Sequence, residues 1–493
     1  MNTAVQPTTL WLTSRSAHER GTAHCPFARF IDYHAGPYGY GFQRRALSLP
    51  LVTGTYVDKP LSAISQWLID ATEAAGGKQP THAPDEVIRW AANLAVEKYR
   101  SVVSKRGILA LAADDPAGKV RLEQTISEQT TLIEGLVWTF ALRRLPQLLA
   151  EYRFRYVQEE ETFVIGCSCG LGDMIGEISD HEARDCTGIG EQSRPDLLGQ
   201  RWDGTGWGYI ELKTASNAKR AWNNSWERKV QFLLGILGAE RRLGHEISHA
   251  RVEGIIKGAR KRDYGATDPS APKKQQNWLC YAYLRPANPG LTLADWKPSY
   301  EYFDSEGLTH RTPRDYSKVA LWEAPDDAFP GKPPEMSRSE WWVRYVATNW
   351  SAMLDKNLNS IGPIPKQRYM LEKAVRGSIA EERLWQQRLW DIYEWTQLPE
   401  NKGKGWGHPE YHDCVESVIP RSWNCDPYGP DHPCSVQPIC FEQEGWDRPI
   451  ESRLYVYRSP HHAAEAQQMK ARGCEPEPGL GYEPDEDDDG DFD

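Results

Sequence analysis

A chain of 493 residues is longer than one hydrophobic core usually organises, and predicts roughly two or three domains. No apolar run of about 18 residues occurs, which argues against a membrane span. Residues 1–12 lack a basic stretch followed by an apolar one, which argues for the cytoplasm rather than secretion. The formal net charge is −11, yet ten acids and no base lie within residues 475–493. Without that tail the body carries −1, so the acidity does not exclude a polyanion as partner. The tail is expected to be disordered by composition. Most of the 20 tryptophans are expected in cores. Ten cysteines in an intracellular protein point to metal or cluster binding more than to disulfides.

Residues 1–50 form an N-terminal segment that carries Cys25. Residues 51–150 read as helical: 64–74 and 85–106 repeat apolar residues near the 3.6 period, anchored by Trp67 and Trp90. Residues 127–149 continue this pattern with a break at Pro146. Residues 151–290 read as the central unit. Strands are expected over 152–165, 175–179, 195–201 and 208–214, a helix over 226–243, and strands over 249–256 and 278–284. Helix, three or more strands, helix, strand predicts an α/β fold with a central mixed sheet flanked by helices. Residues 291–410 read as a helical accessory region, with helices over 337–354 and 365–396, and 411–445 as a cysteine-rich segment. There is no internal repeat and no Gly-x-x-x-x-Gly-Lys-Ser/Thr loop, which argues against an ATP-driven motor.

The chemistry concentrates in the central unit. Ser193-Arg194-Pro195-Asp196 precedes Glu211-Leu212-Lys213, with the Gly-rich turn Trp202-Asp203-Gly204-Thr205-Gly206-Trp207-Gly208 between them. Strand alternation puts Glu211 and Lys213 on one face, and an antiparallel neighbour brings Asp196 beside Glu211. Two carboxylates suit Mg²⁺ or Mn²⁺, hard cations that favour oxygen. A lysine beside them can hold an attacking hydroxide, so the trio suits metal-dependent phosphodiester hydrolysis. An exposed hairpin with an incidental surface ion pair is the alternative. After the 249–256 strand come Lys257, Arg260, Lys261 and Arg262, cations able to neutralise nucleic-acid phosphates or simply to line a solvated turn.

Two cysteine sets stand apart. Cys425, Cys434 and Cys440 lie in a Pro- and Gly-rich segment whose shape needs a source other than a hydrogen-bond ladder. Three thiolates are one short of a 4Fe–4S cluster, and Cys25 is the candidate fourth; a zinc site or unligated thiols are the alternatives. Such a staple closes a loop of about 400 residues, worth on the order of 5 kcal/mol of unfolded-state entropy. Cys167, Cys169, His181 and Cys186 could hold a structural Zn²⁺, or could be unmetallated residues of a hairpin.

Cys25-Pro26-x-x-x-Phe30 with the distal cysteines, together with Gly54-x-x-x-Asp58, Pro195-Asp196, Glu211-Leu212-Lys213 and Gln231, resembles the RecB-like branch of the PD-(D/E)XK nucleases. The cysteine pattern is similar to the iron–sulfur staple of AddB-type nucleases and CRISPR-associated exonucleases. The resemblance implies a restriction-endonuclease-like core acting as a Mg²⁺- or Mn²⁺-dependent DNA exonuclease. Its substrates would be single-stranded ends, in recombination, repair or phage DNA metabolism, with a helicase or recombination protein in trans. It implies Asp58, Asp196 and Glu211 as metal ligands, Lys213 as the lysine and Gln231 as a positioning group. The family's helix histidine is Asp58 here, and Glu134 on the later helix is the alternative third acid. The tyrosine often found four residues after the glutamine is Gly235. The two departures leave room for a second reading, a weak or inactive DNA-binding module that keeps the fold. A zinc-stapled scaffold is a third.

Overall fold

Between residues 152 and 256, short alternating runs are separated by glycine-bearing turns. In the computed structural model these runs form the sheet around which the other elements gather. The structure describes residues 10–14, 17–18, 20, 25–44, 49–110, 116–158, 161–167, 188–215, 220–257, 260–263, 276–279, 299–303, 309–313, 332–346, 358–364, 368–422, 434, 436–441, 449–450, 454–460 and 463–474.

The chain begins with β1 (Leu10–Ser14), α1 (Pro26–Tyr33) and β2 (Phe42–Arg44). Three long helices follow, α2 (Leu49–Ala74), α3 (Asp85–Ala110) and α4 (Pro116–Arg143), then the short α5 (Leu145–Glu151). Next come β3 (Tyr152–Val157), β4 (Glu161–Cys167), β5 (Gly188–Ser193), β6 (Leu197–Arg201) and β7 (Trp207–Ala215). After α6 (Arg220–Asn223) and α7 (Val230–Leu243) the chain enters β8 (Ile247–Ile256). Two antiparallel pairs follow, β9 (Arg260–Asp263) with β10 (Gln276–Leu279) and β11 (Ser299–Phe303) with β12 (Thr309–Pro313). The rest comprises α8 (Arg338–Trp341), β13 (Leu358–Ile364), α9 (Arg368–Gln397), α10 (Pro409–Val418), α11 (Gln437–Phe441), β14 (Tyr455–Tyr457) and α12 (Ala463–Ala471). The architecture is mixed α/β.

The five-stranded sheet runs β13-β8-β7-β6-β3. Strands β3, β6 and β7 form an antiparallel meander, and β8 lies parallel to β7. Parallel neighbours need a crossover, which α7 provides. Helices α2 to α5 cover one face, where Val57, Leu61, Leu136 and Trp138 meet Ile210 and Leu212. The other face puts Tyr209, Ala250 and Val252 against Phe232 and Ile236 of α7 and Leu371 of α9. Strand β7 is therefore covered on both sides. Glycine is required where Tyr152 leans across the sheet, because a Cβ on Gly208 would lie 2.4 Å from its ring. A second sheet has the order β1-β5-β4, with β1 parallel to β5.

Several elements differ from the sequence reading. The 152–165 run is two strands, broken at Gln158, whose φ is +46°. The helix expected at 64–74 starts fifteen residues earlier, at Leu49, and passes through Pro60. The 226–243 helix begins as a 3₁₀ turn, Trp226–Arg228; extended Lys229 then caps α7. A short α8 and a π turn, Trp342–Val346, replace the start of the 337–354 helix. The 175–179 strand lies outside the described residues.

The N-terminal elements are held by a buried charge network. Glu382 of α9 is fully buried and accepts hydrogen bonds from Arg29 Nη2 at 2.6 Å and Trp11 Nε1 at 2.7 Å. Arg29 Nη1 donates to Glu381 Oε1 at 2.7 Å. His18 lies 2.9 Å from Glu191 Oε2 on β5 and 3.2 Å from Glu382 Oε1. Burial would lower the His18 pKa, but Glu191, Glu381 and Glu382 outweigh it and raise it to about 10. A histidine whose pKa is raised on folding stabilises most below its ordinary value of 6.5, and that contribution fades as pH rises through about 10. Denaturant unfolding at pH 6 and pH 10 is expected to show stability falling over this window. The His18→Gln protein should start lower and show a shallower fall.

Candidate active site

Asp196 and Glu211 are brought together by strand register. Leu197 pairs with Ile210 across β6 and β7, and one further step puts Asp196 opposite Glu211. The main-chain N–H of Leu212 donates to Asp196 Oδ2 at 2.8 Å, which fastens the turn before β6 to β7. Alternation sends Ile210 and Leu212 into the helical core and turns Tyr209, Glu211 and Lys213 the other way.

The Glu211 carboxylate has no exposed surface, and Asp196 is 7 % exposed. Lys213 Nζ lies 2.8 Å from Glu211 Oε1 and 3.8 Å from Asp196 Oδ2, so one ammonium serves both acids. The Tyr209 hydroxyl donates to Glu211 Oε2. Its position two residues before Glu211 was the only sequence sign of this role.

Asp58 arrives from α2. Burial, the largest effect, raises its pKa; Lys213, a Gln158 hydrogen bond and Arg194 oppose this, while Glu211 adds to it. Asp58 therefore shares the electrostatic environment of Glu211 and Lys213, and Arg194 and Gln158 join a site that the sequence did not assign to them. Gly54, one turn earlier, explains how α2 comes so close. A Cβ there would lie 2.6 Å from Thr214 Oγ1 and 3.6 Å from Lys257 Nζ.

The other candidate acid goes elsewhere. Glu134 is buried in α4, where Ser337 and Ser339 hydrogen-bond its carboxylate and Glu340 and Arg100 are its charged neighbours. The residues around it belong to the helical layer rather than to β7, so Asp58 is the helix acid near Glu211. Gln231 occupies the second position of α7, half-buried, on the helix that covers the Tyr209 face.

The basic run does not form a single turn. The Lys257 N–H donates to Ala215 O at 2.9 Å, which draws the residue in beside β7, and burial lowers its ammonium pKa to about 8. Arg260, Lys261 and Arg262 lie in β9, paired with β10.

Cys25 and Cys434 are buried in one apolar cluster with Phe27, Trp385 and Ile439, and Cys440 packs against it. The Ser422 N–H donates to Cys25 Sγ at 3.3 Å. Thus Cys25 and Cys434, remote in sequence, share one cluster. Cys414 of α10, which the sequence reading did not single out, is buried in the same cluster. Cys425 lies outside the described residues, as do Cys169, His181 and Cys186; Cys167 ends β4.

Among the described residues no three His, Cys, Asp or Glu side chains close into a metal cage. The acid site nevertheless offers the donors a hard divalent cation favours, all of them carboxylate oxygens. Asp58 Oδ1 is buried and, among the described residues, accepts no hydrogen bond, which leaves one oxygen to offer a cation. No helix of the described residues is long and apolar enough to cross a membrane. No protein-family model matches the chain, and no curated protein matches it.

Removing Lys213 leaves neighbouring buried carboxylates without that ammonium. Lys213→Met is expected to destabilise the fold by about 2–3 kcal/mol, since a broken buried pair leaves uncompensated charge. Mn²⁺ should raise its melting midpoint more than that of wild type, because a cation can take over the lost charge. Thermal unfolding with and without Mn²⁺ measures both effects.

Proposed function

We propose that this protein is a divalent-metal-dependent deoxyribonuclease that hydrolyses phosphodiester bonds at DNA ends. The observation that carries the reading is the Lys213 ammonium held between Glu211 and Asp196, with Asp58 in the same electrostatic environment. A surface salt bridge needs none of this burial, and a structural ion pair has no use for a third acid with an open, buried oxygen.

Asp58, Asp196 and Glu211 would hold Mg²⁺ or Mn²⁺, whose chemistry is to lower the pKa of a water and offset charge on the scissile phosphate. Lys213 brings a positive charge to where the attacking oxygen and the phosphate gather negative charge. Tyr209 keeps one Glu211 oxygen engaged and so orients the carboxylate. The Leu212 N–H does the same for Asp196. Lys257, close to Gly54 beside β7, would draw a phosphate toward the acids.

A restriction-endonuclease-like core is part of this reading; the meander β3-β6-β7 followed by α7 and the parallel β8 supports it, as does the sequence order Gly54, Asp58, Asp196, Glu211, Lys213 and Gln231. The preference for single-stranded ends comes from the resemblance to the RecB-like nucleases. A 4Fe–4S cluster on Cys25, Cys425, Cys434 and Cys440 belongs to the same reading, and the N–H donated to Cys25 Sγ is a contact suited to a ligand thiolate.

The test is degradation of end-labelled single-stranded DNA with Mn²⁺, before and after chelation. Asp196→Asn and Lys213→Ala should each cut at least about 100-fold more slowly than wild type while retaining DNA binding, because both touch the reacting groups. Wild-type cleavage no faster than that of Lys213→Ala, with both proteins binding DNA, would replace the nuclease with the inactive binding module. Iron and acid-labile sulfide in the purified protein are expected; zinc alone would remove the cluster.

A further inference from the structure

Gln158 is, among the described residues, the one non-glycine residue with positive φ, at +46°. It stands where β3 ends, at the break that divides the 152–165 run. A left-handed conformation with a long side chain persists where the surroundings over-determine it, and such residues gather at functional sites. Here both ends of the residue are engaged. Its main-chain N–H donates to Asp196 O at 3.2 Å, and its side-chain amide donates to Asp58 Oδ2 at 2.7 Å.

The two contacts reach two acids that are distant in sequence. Asp58 comes from α2, whereas Asp196 ends the turn before β6 and is fixed through its own side chain to the Leu212 N–H. Gln158 thus links the helical acid to the strand acids through a single residue. The amide also distinguishes the two oxygens of Asp58. Oδ2 is occupied by Gln158, while Oδ1 is buried and, among the described residues, accepts no hydrogen bond. A carboxylate held in this way presents one defined oxygen instead of rotating between two.

We propose that Gln158 is a positioning residue for the divalent cation, orienting Asp58 so that Oδ1 is presented beside Glu211 and coupling that acid to the Asp196 turn. The inference rests on the metal-binding reading of the three acids. Partners that orient a metal ligand typically account for tenfold or more in metal affinity. The residue itself touches neither metal nor substrate, so its effect falls on metal affinity rather than on the turnover of the loaded enzyme.

Calorimetric titration of Mn²⁺ into the full-length protein tests this, with Gln158→Gly, Gln158→Met and Asp196→Asn beside wild type. Glycine keeps the left-handed turn and the main-chain contact to Asp196, and loses only the amide. Methionine keeps the bulk of the side chain. Both variants should bind Mn²⁺ about tenfold more weakly, while kcat at saturating Mn²⁺ stays within about threefold of wild type. A Gln158 that merely shapes the turn would leave Mn²⁺ affinity unchanged in Gln158→Gly, and that result overturns the proposal. Wild type binding no better than Asp196→Asn would sink the metal reading itself, and the inference with it. Binding that depends on Asp196 but not on Gln158 would overturn the inference alone.

Discussion

The charge of Glu211 must be carried inside a strand that is covered on both faces. Strand β7 sends Ile210 and Leu212 into the helical layer and Tyr209 against α7, and Glu211 between them has no exposed surface. A carboxylate there is costly unless it is paired and hydrogen-bonded. Lys213 provides the charge and Tyr209 the hydrogen bond, each two residues away on the same face. The neighbouring elements answer to the same requirement: Asp196 shares the ammonium, its turn is fastened to β7, and α2 approaches over a glycine.

The same solution recurs away from the site. Glu253 on β8 accepts two hydrogen bonds from Arg144, at 2.8 and 2.7 Å, and one from Ser360 at 2.9 Å. That group ties the α4–α5 junction and β13 to the sheet. Glu382 is gripped by Arg29 and Trp11 and so holds the N-terminal elements to α9. Glu253 and Glu382, unlike Glu211, take their partners from elements remote in sequence. Removing one partner would leave a buried charge and disturb two elements at once.

What could be read in the sequence was local. Gly204 and Gly206 marked the turn between β6 and β7, and period two put Glu211 and Lys213 on one face. The helices were legible through their apolar spacing, although Pro60 concealed the continuity of α2. What escaped depended on distance. Strand β1 pairs parallel with β5 across more than 170 residues, and no local signal announces such a partner. Gln158 read as one more residue of a long strand because a left-handed conformation in a non-glycine residue has no compositional mark. Asp58 was the favoured helical carboxylate and Glu134 the alternative, and the packing of α2 against β7 over the missing Cβ of Gly54 separates them. The run from Lys257 to Arg262 looked like a surface turn because charge suggests solvent, yet pairing with β10 takes its second half into a strand.

The pairing of β2 with β14 has a consequence for how the chain is made. Phe42–Arg44 must wait for Tyr455–Tyr457, roughly 400 residues later, before its edge is satisfied. At a synthesis rate of ~5–20 residues per second, that wait lasts roughly 20–80 s on the ribosome. Through that interval α1, with its apolar Phe27, Phe30 and Ile31, also lacks the late-synthesised Val436, Ile439 and Tyr455 that cover it in the finished molecule. Until those residues are made, the apolar face of α1 stays without the cover they supply. Synthesis of β14, rather than completion of the β7 sheet, sets when β2 can be paired.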